Sequence, residues 1–266
     1  MTTQYATSPD NIRIAYDVNS DGPTLMLLHG GGGSRQEWHA AGYVERLKDR
    51  FKVITVDLRG HGESDKPVDP ADYTTAKMGD DILAVADARD ADRFILWGYS
   101  FGGNVARYLA ARSDRVSRLV LLGTHFGPGV SGEWRQMAVD FRARWAPAVH
   151  SQLGSSLKGS FDPQLLSQED QEAIKQLSFP GALLPTVLAF STAMLDWPTN
   201  SPVDILCPTL WLFGSENSMA LDSFKEYEKS LPKSKVHAQI LAGLDHPQEF
   251  DEIDQVLPVM LAFSQP

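Results

Sequence analysis

Apolar residues along this chain fall into two alternating patterns. Short continuous runs occur at Thr24 to Leu28, Val53 to Val56, Phe94 to Trp97, Leu119 to Leu122, Thr209 to Phe213 and Val236 to Leu241. Runs of this length, mostly apolar, suit the strands of a buried sheet. Between them, Gln36 to Leu47, Met78 to Ala91 and Gly102 to Arg112 carry apolar residues three and four apart. That spacing gathers them on one side of a helix. The alternation predicts an α/β fold, a mostly parallel sheet flanked by helices. Ile12 to Val18 alternates polar with apolar and reads as an antiparallel edge strand.

After Leu122 the alternation stops. From Gly127 to about Pro202 no comparable run occurs, and Trp- and Leu-containing segments are broken by Gly-Pro, Phe-Asp-Pro and Phe-Pro-Gly. Such punctuation predicts short helices. Residues 1–126 and 203–266 therefore read as one core and residues 127–202 as an inserted helical cap. Insertions of this size at strand ends commonly cover a site. Trp145 and Leu184 are its candidates for an apolar substrate pocket, although the same side chains would equally serve to pack the insertion.

Composition narrows the partners. The chain has 266 residues, 42% of them hydrophobic, enough to bury a full core. Its 24 Lys and Arg against 34 Asp and Glu give a formal net charge of −10 without any block of like charges. A phosphate backbone would be repelled, which argues against a nucleic-acid partner. Cys207 is the single cysteine; it excludes an internal disulfide and fits a buried thiol in a reducing cytosol. The first residues lack a basic region followed by an apolar stretch, and no apolar run approaches the roughly 18 residues of a membrane span. These features predict a cytoplasmic protein with no membrane segment. No G-x-G-x-x-G follows a strand, and there is no Walker loop, His-x-x-His or Cys-x-x-Cys pair. Neither a metal nor an organic cofactor is expected.

The chemistry concentrates at Gly98-Tyr99-Ser100-Phe101-Gly102, a G-x-S-x-G segment where the run ending at Trp97 gives way to a helical stretch. A sharp strand-to-helix turn crowds backbone against the serine, so glycines are needed on both sides while the hydroxyl stays exposed. The helix N-terminus beneath Ser100 also directs backbone N–H groups at any oxyanion formed there. A helix-capping serine is the plainer alternative; the two glycines and the buried strand weigh against it.

With these residues in place, the sequence resembles the α/β-hydrolase superfamily from about Ile12 to Phe263. His29-Gly30-Gly31-Gly32-Gly33 after the strand at Leu25 to Leu28 is similar to the superfamily's His-Gly oxyanion loop, with Trp38 a few residues on. Asp57-Leu58-Arg59-Gly60-His61-Gly62-Glu63-Ser64 is similar to its D-x-R-G-x-G-x-S segment. The resemblance implies an eight-stranded, mostly parallel sheet with an inserted helical cap. It implies an oxyanion hole from the backbone N–H groups of Gly31 and Phe101. His29, His61 and Asp57 sit in tight turns and read as structural groups bonded to backbone.

Serine needs a base to remove its proton. His246 lies just after the last predicted strand and before a final helix from Glu249 to Phe263, where the superfamily's base resides. The family's acid usually stands three residues beyond a glycine after the penultimate strand. Here Phe213-Gly214-Ser215-Glu216-Asn217 puts Asn217 there, with Glu216 as the adjacent carboxylate. The end of the strand before the cap, which supplies the acid in some relatives, reads Gly123-Thr124-His125 and offers none. The candidate set is thus Ser100, His246 and Glu216, alternatively Asn217. Trp38, Tyr99 and His125 join Trp145 and Leu184 as candidate substrate contacts. The leading expectation is a serine hydrolase acting on a small, partly apolar ester, lactone, thioester or amide. The alternatives are carbon–carbon bond hydrolysis by the same residues, a slow or non-catalytic ligand-binding homologue, and cofactor-free lyase or oxygenase chemistry using the pair for proton transfer.

Overall fold

The computed structural model describes residues 2–154 and 156–264. The chain forms two compact units: one comprises residues 1–65, 75–127 and 198–266, the other residues 66–74 and 128–197.

The first unit is built on an eight-stranded sheet. Its strands are β1 (Gln4–Thr7), β2 (Arg13–Asn19), β3 (Thr24–Leu28), β4 (Lys52–Val56), β5 (Phe94–Tyr99), β6 (Val116–Leu122), β7 (Thr209–Gly214) and β8 (Val236–Leu241). Their spatial order is β1-β2-β4-β3-β5-β6-β7-β8. From β4 to β8 all neighbours are parallel, while β1 and β2 are antiparallel. β3 and β5 sit centrally, and every residue of β3 is buried, as a strand covered on both faces requires. β2 is antiparallel as its alternation predicts, but it is not the edge. β1, too short and polar to stand out in the sequence, pairs along it with Tyr5 opposite Ala15.

Helices of this unit are α1 (Gln36–Ala40), α2 (Tyr43–Leu47), α3 (Thr75–Asp87), α4 (Phe101–Ala110), α8 (Ser218–Tyr227), α9 (Gln248–Asp251) and α10 (Ile253–Phe263); α5 to α7 belong to the second unit. Alternate residues of the strands, Leu25, Leu27, Trp97, Val120 and Leu212 among them, pack with Trp38, Tyr43, Leu47 and Met260 in one core cluster. α4 is buried along its whole length. Two predicted helices are divided. The segment 36–47 breaks at Gly42, whose φ of 82° is left-handed, and the last helix breaks at Glu252, with ψ of 58°.

The second unit holds α5 (Gly132–Leu153), α6 (Gln168–Ile174) and α7 (Leu184–Met194). Only short helices are predicted from the sequence, yet α5 runs 22 residues and accommodates Pro147. Residues 66–74 group with this unit through Trp197 Nε1, which donates to the Tyr73 carbonyl at 2.8 Å, Thr186 Oγ1, 3.4 Å from Lys66 O, and the Phe190 ring against Tyr73. A composition-based boundary at residue 127 could not show that packing. Within the first unit, Gly127 and Asn200 pair as an antiparallel bridge. Arg107, wholly buried, donates to both their carbonyls at 3.0 and 3.3 Å. Burial pushes its guanidinium down to about 10, still charged at neutral pH.

Candidate active site

Ser100 connects β5 to α4 with φ 50° and ψ −114°, a conformation that non-glycine residues rarely adopt. Three backbone bonds hold it: Ser100 N to Leu122 O at 2.9 Å, Gly102 N to His29 O at 3.1 Å and Asn104 N to Ser100 O at 3.0 Å. A Cβ on Gly98 would overlap the Gly102 carbonyl, and one on Gly102 would lie 2.5 Å from the carbonyl oxygens of Leu28 and His29. Both flanking glycines are therefore dictated by backbone crossing backbone. The hydroxyl makes no capping bond to α4. It lies 2.9 Å from His246 Nε2 instead.

Gly31 and Phe101 come together beside it, since a Cβ on Gly31 would sit 3.5 Å from Phe101 Cβ. Phe101 opens α4, where backbone N–H groups point outward along the helix axis.

His246 occupies the turn between β8 and α9, with its side chain 26% exposed. Its Nδ1 lies 2.9 Å from Glu249 Oε2. If Nδ1 carries the proton that Glu249 accepts, Nε2 is left with its lone pair toward the Ser100 hydroxyl, which fixes the tautomer from the partners. The carboxylate facing the imidazole is thus Glu249, not Glu216. Glu216 is exposed: its backbone N–H bonds Leu244 O at 2.9 Å, in a turn that carries its side chain to solvent. Asn217 is close but differently engaged. Its Oδ1 accepts from Ala220 N at 3.1 Å, capping α8, and its Nδ2 donates to Glu249 Oε1 and Oε2 at 2.9 and 3.1 Å. Nδ2 is also 3.2 Å from His246 Nδ1. Glu249 is fully buried and takes a further bond from Gly214 N–H.

Sequence reasoning missed Glu249. The signal was its spacing: three residues after His246, at the start of a helix, side chains share one face. Asp245 supports that turn. Its carboxylate accepts from Gln248 N at 3.0 Å while Gln248 Oε1 accepts from Asp245 N at 2.9 Å, a reciprocal cap on α9.

Aromatic packing fixes the same turn. Tyr99 Oη donates to the His246 carbonyl at 2.8 Å, and the Tyr99 ring stacks on the imidazole with centroids 5.2 Å apart. Burial, reinforced by the Glu249 charge, raises the Tyr99 phenol well above its ordinary range, so it stays a donor. Phe250 packs edge-on to Trp38 at 4.9 Å, and Tyr43 Oη donates to the Phe250 carbonyl at 2.9 Å. Trp38, expected as a substrate contact, is fully buried among Tyr43, Trp97 and Phe250. Trp145 and Leu184 likewise lie in the second unit's own core with Val149, Leu153, Ile174 and Leu188. Large apolar residues in a long insertion serve that purpose first. His125 is buried just past the end of β6.

The turn histidines bond backbone. His29 Nδ1 lies 2.7 Å from Gly30 O, and His29 Nε2 accepts from Leu58 N at 3.1 Å. Burial lowers its pKa to about 4. His61 Nδ1 is 3.1 Å from Arg59 O. Asp57 accepts from the backbone N–H groups of Arg35 and Glu63, both at 2.7 Å, and pairs with the Arg35 guanidinium. Among the described residues no three His, Cys, Asp or Glu side chains gather as metal ligands, and no helix is long and apolar enough to cross a membrane.

Comparison with known proteins agrees with this fold. A model of the alpha/beta hydrolase fold matches residues 23–155. A Bacillus subtilis protein assigned as a 2-succinyl-6-hydroxy-2,4-cyclohexadiene-1-carboxylate synthase is 26% identical over 271 residues, covering 95% of this chain and 97% of its own. An uncharacterised protein of Mycobacterium tuberculosis is 37% identical over 111 residues, 41% of this chain but only 31% of the mycobacterial one. Among solved structures, a thermophilic esterase from Thermogutta terrifontis superposes with a TM-score of 0.73 at 23% identity, over 99% of this chain and 98% of the esterase. The eight-stranded sheet, the strained serine turn and the matched segment together place this chain in the alpha/beta hydrolase fold family.

Proposed function

We propose that this protein is a serine hydrolase that cleaves a small-molecule ester, lactone, thioester or amide through an acyl-enzyme. One observation carries the reading: His246 spans Ser100 and Glu249 with both ring nitrogens 2.9 Å from their partners. Ser100 Oγ attacks the substrate carbonyl carbon as its proton passes to His246 Nε2, and the carbonyl π electrons move onto oxygen. The backbone N–H groups of Gly31 and Phe101 receive that oxyanion. Collapse re-forms the carbonyl and breaks the bond to the leaving group, which takes the proton from His246. Water then attacks the acyl-enzyme, with His246 again accepting a proton and returning it to Ser100 Oγ as the acid product departs. Glu249 acts through His246: it holds the tautomer and stabilises the imidazolium between the two proton transfers.

Ser100→Ala should reduce hydrolysis of a short-chain p-nitrophenyl ester by at least about 10³ with little effect on folding. A residual rate within tenfold of wild type would remove Ser100 from the mechanism. A second reading draws on the full-length relative assigned as a synthase: the same pair could transfer protons without an acyl-enzyme. Retained turnover of a substrate in Ser100→Ala, together with no covalent labelling of the wild type, would favour it.

A further inference from the structure

Position 217 is where the family resemblance puts the acid, and the structure fills it with an amide whose orientation is set from both ends. Ala220 N–H takes the oxygen of Asn217, which leaves Nδ2 against both oxygens of Glu249. Asn217 is buried, at 4% exposure. A second position from which relatives draw their acid, the end of β6, is vacated too. Gly123 has φ of 60°, and a Cβ there would overlap Glu249 Oε2 and fall 2.9 Å from His246 Nδ1. The Glu249 carboxylate therefore lies in a niche made by an absent side chain at 123, the Gly214 N–H and the Asn217 amide. A carboxylate at 217 would set an oxygen about 3 Å from both oxygens of Glu249, and two such groups cannot both ionise there.

We infer that Asn217 is a positioning residue whose neutral amide holds Glu249 against His246, and that positions 217 and 249 work as one carboxylate and one amide in either order. This rests on the hydrolase reading above for its kinetic test only. The exchange is geometrically open because position 217 already lies 3.2 Å from His246 Nδ1, and a glutamine at 249 could accept from Gly214 N–H while donating to an aspartate at 217. The titratable groups facing the imidazole are Glu249 on α9, Tyr99 on β5 and Ser100 at the head of α4. Asp245 lies on its own turn, and Glu216, exposed, on the turn before α8.

The experiment compares Glu249→Gln, Asn217→Asp, Asn217→Ser and the double variant Asn217→Asp/Glu249→Gln. Each is measured by kcat and KM against pH and by NMR titration of the His246 ring. Glu249→Gln should lose about 10³ to 10⁴ in kcat. The double variant should regain at least a hundredfold of that loss with KM unchanged. Asn217→Asp alone should leave the ring titration as in the wild type, because the paired carboxylates at 217 and 249 keep one proton between them and add no net charge; a titration displaced to higher pH would overturn that relation. Asn217→Ser keeps a capping oxygen for α8 but lacks the amide donors; it should fold with a lowered melting temperature, through the donor withdrawn from the buried Glu249 carboxylate, and lose at least tenfold in kcat. A double variant that folds but stays as slow as Glu249→Gln overturns the exchange. An Asn217→Ser variant with unchanged kcat and pH profile reduces Asn217 to a helix cap and overturns the positioning role, whether or not the double variant folds. The NMR titration needs no turnover, so it decides the charge relation at 217 and 249 even if Ser100→Ala shows the hydrolase reading to be wrong.

Discussion

At the scale of single residues, the site is a chain of hydrogen bonds with a buried charge at its far end. An unsolvated carboxylate is tolerable only when its oxygens are fully engaged, and Glu249 takes bonds from Gly214 N–H, Asn217 Nδ2 and His246 Nδ1. Tyr99 is a different case. Its hydroxyl holds a backbone carbonyl, so Tyr99→Phe should cost about 1 kcal/mol of stability and leave kcat within about tenfold. A loss of 10³ in kcat with unchanged stability would put the phenol on the substrate instead. Ser100 and His246 could be found in the sequence because each is marked locally, one by glycines that its turn demands and one by its place after the last strand. Glu249 has no such mark: the resemblance points to other positions for the acid, and three residues after the histidine the sequence reads only as the start of a helix. Trp38, Trp145 and Leu184 carry no sequence mark that separates core from cavity, and burial alone assigns them to cores.

Among the elements, α9 has the largest consequence for its size. Four residues long, it carries Glu249 on one side and Phe250 on the other. Phe250 enters the aromatic cluster of Trp38, Tyr43 and Trp97, and the Tyr43 hydroxyl ties down its carbonyl. Packing on α1, α2 and β5 thereby sets where the carboxylate stands. Periodicity located the strands well: Thr24–Leu28 and Val236–Leu241 have the bounds their apolar runs suggest. Helix breaks were harder to see. Gly42 and Glu252 interrupt apolar spacing that continues across them, and only the backbone conformation shows where each helix ends. β1 escaped notice because an edge strand of four residues, QYAT, has too little apolar surface to register.

For the molecule as a whole, residues 66–74 group with the second unit, to which the Trp197 indole, the Thr186 hydroxyl, the Phe190 ring and contacts of Val68 tie them, and none of these long-range contacts has a mark in the sequence. Its buried polar groups also set how stability varies with pH. His29 is held neutral by burial, with its pKa lowered from the ordinary 6.5 to about 4. As pH falls through 6.5 the unfolded chain takes up a proton that the folded chain refuses until about 4. Stability contributed in full above pH 6.5 is therefore lost progressively down to about pH 4, and His39, shifted the same way by burial, adds to the loss. Chemical unfolding at pH 7.5, 6.0 and 4.5 should show stability declining over that range, with a shallower decline in His29→Asn. A flat profile in the wild type would contradict it.

In the proposed mechanism Ser100 is activated by His246, which Glu249 holds in place. The most direct measurement is the rate at which a fluorophosphonate labels Ser100, followed by intact mass in wild type, Glu216→Gln and Glu249→Gln. The wild type should take up one label at Ser100, Glu216→Gln should label at the same rate, and Glu249→Gln should label about 10³-fold more slowly. No label on the wild type, or a slow Glu216→Gln beside an unimpaired Glu249→Gln, would rule this mechanism out.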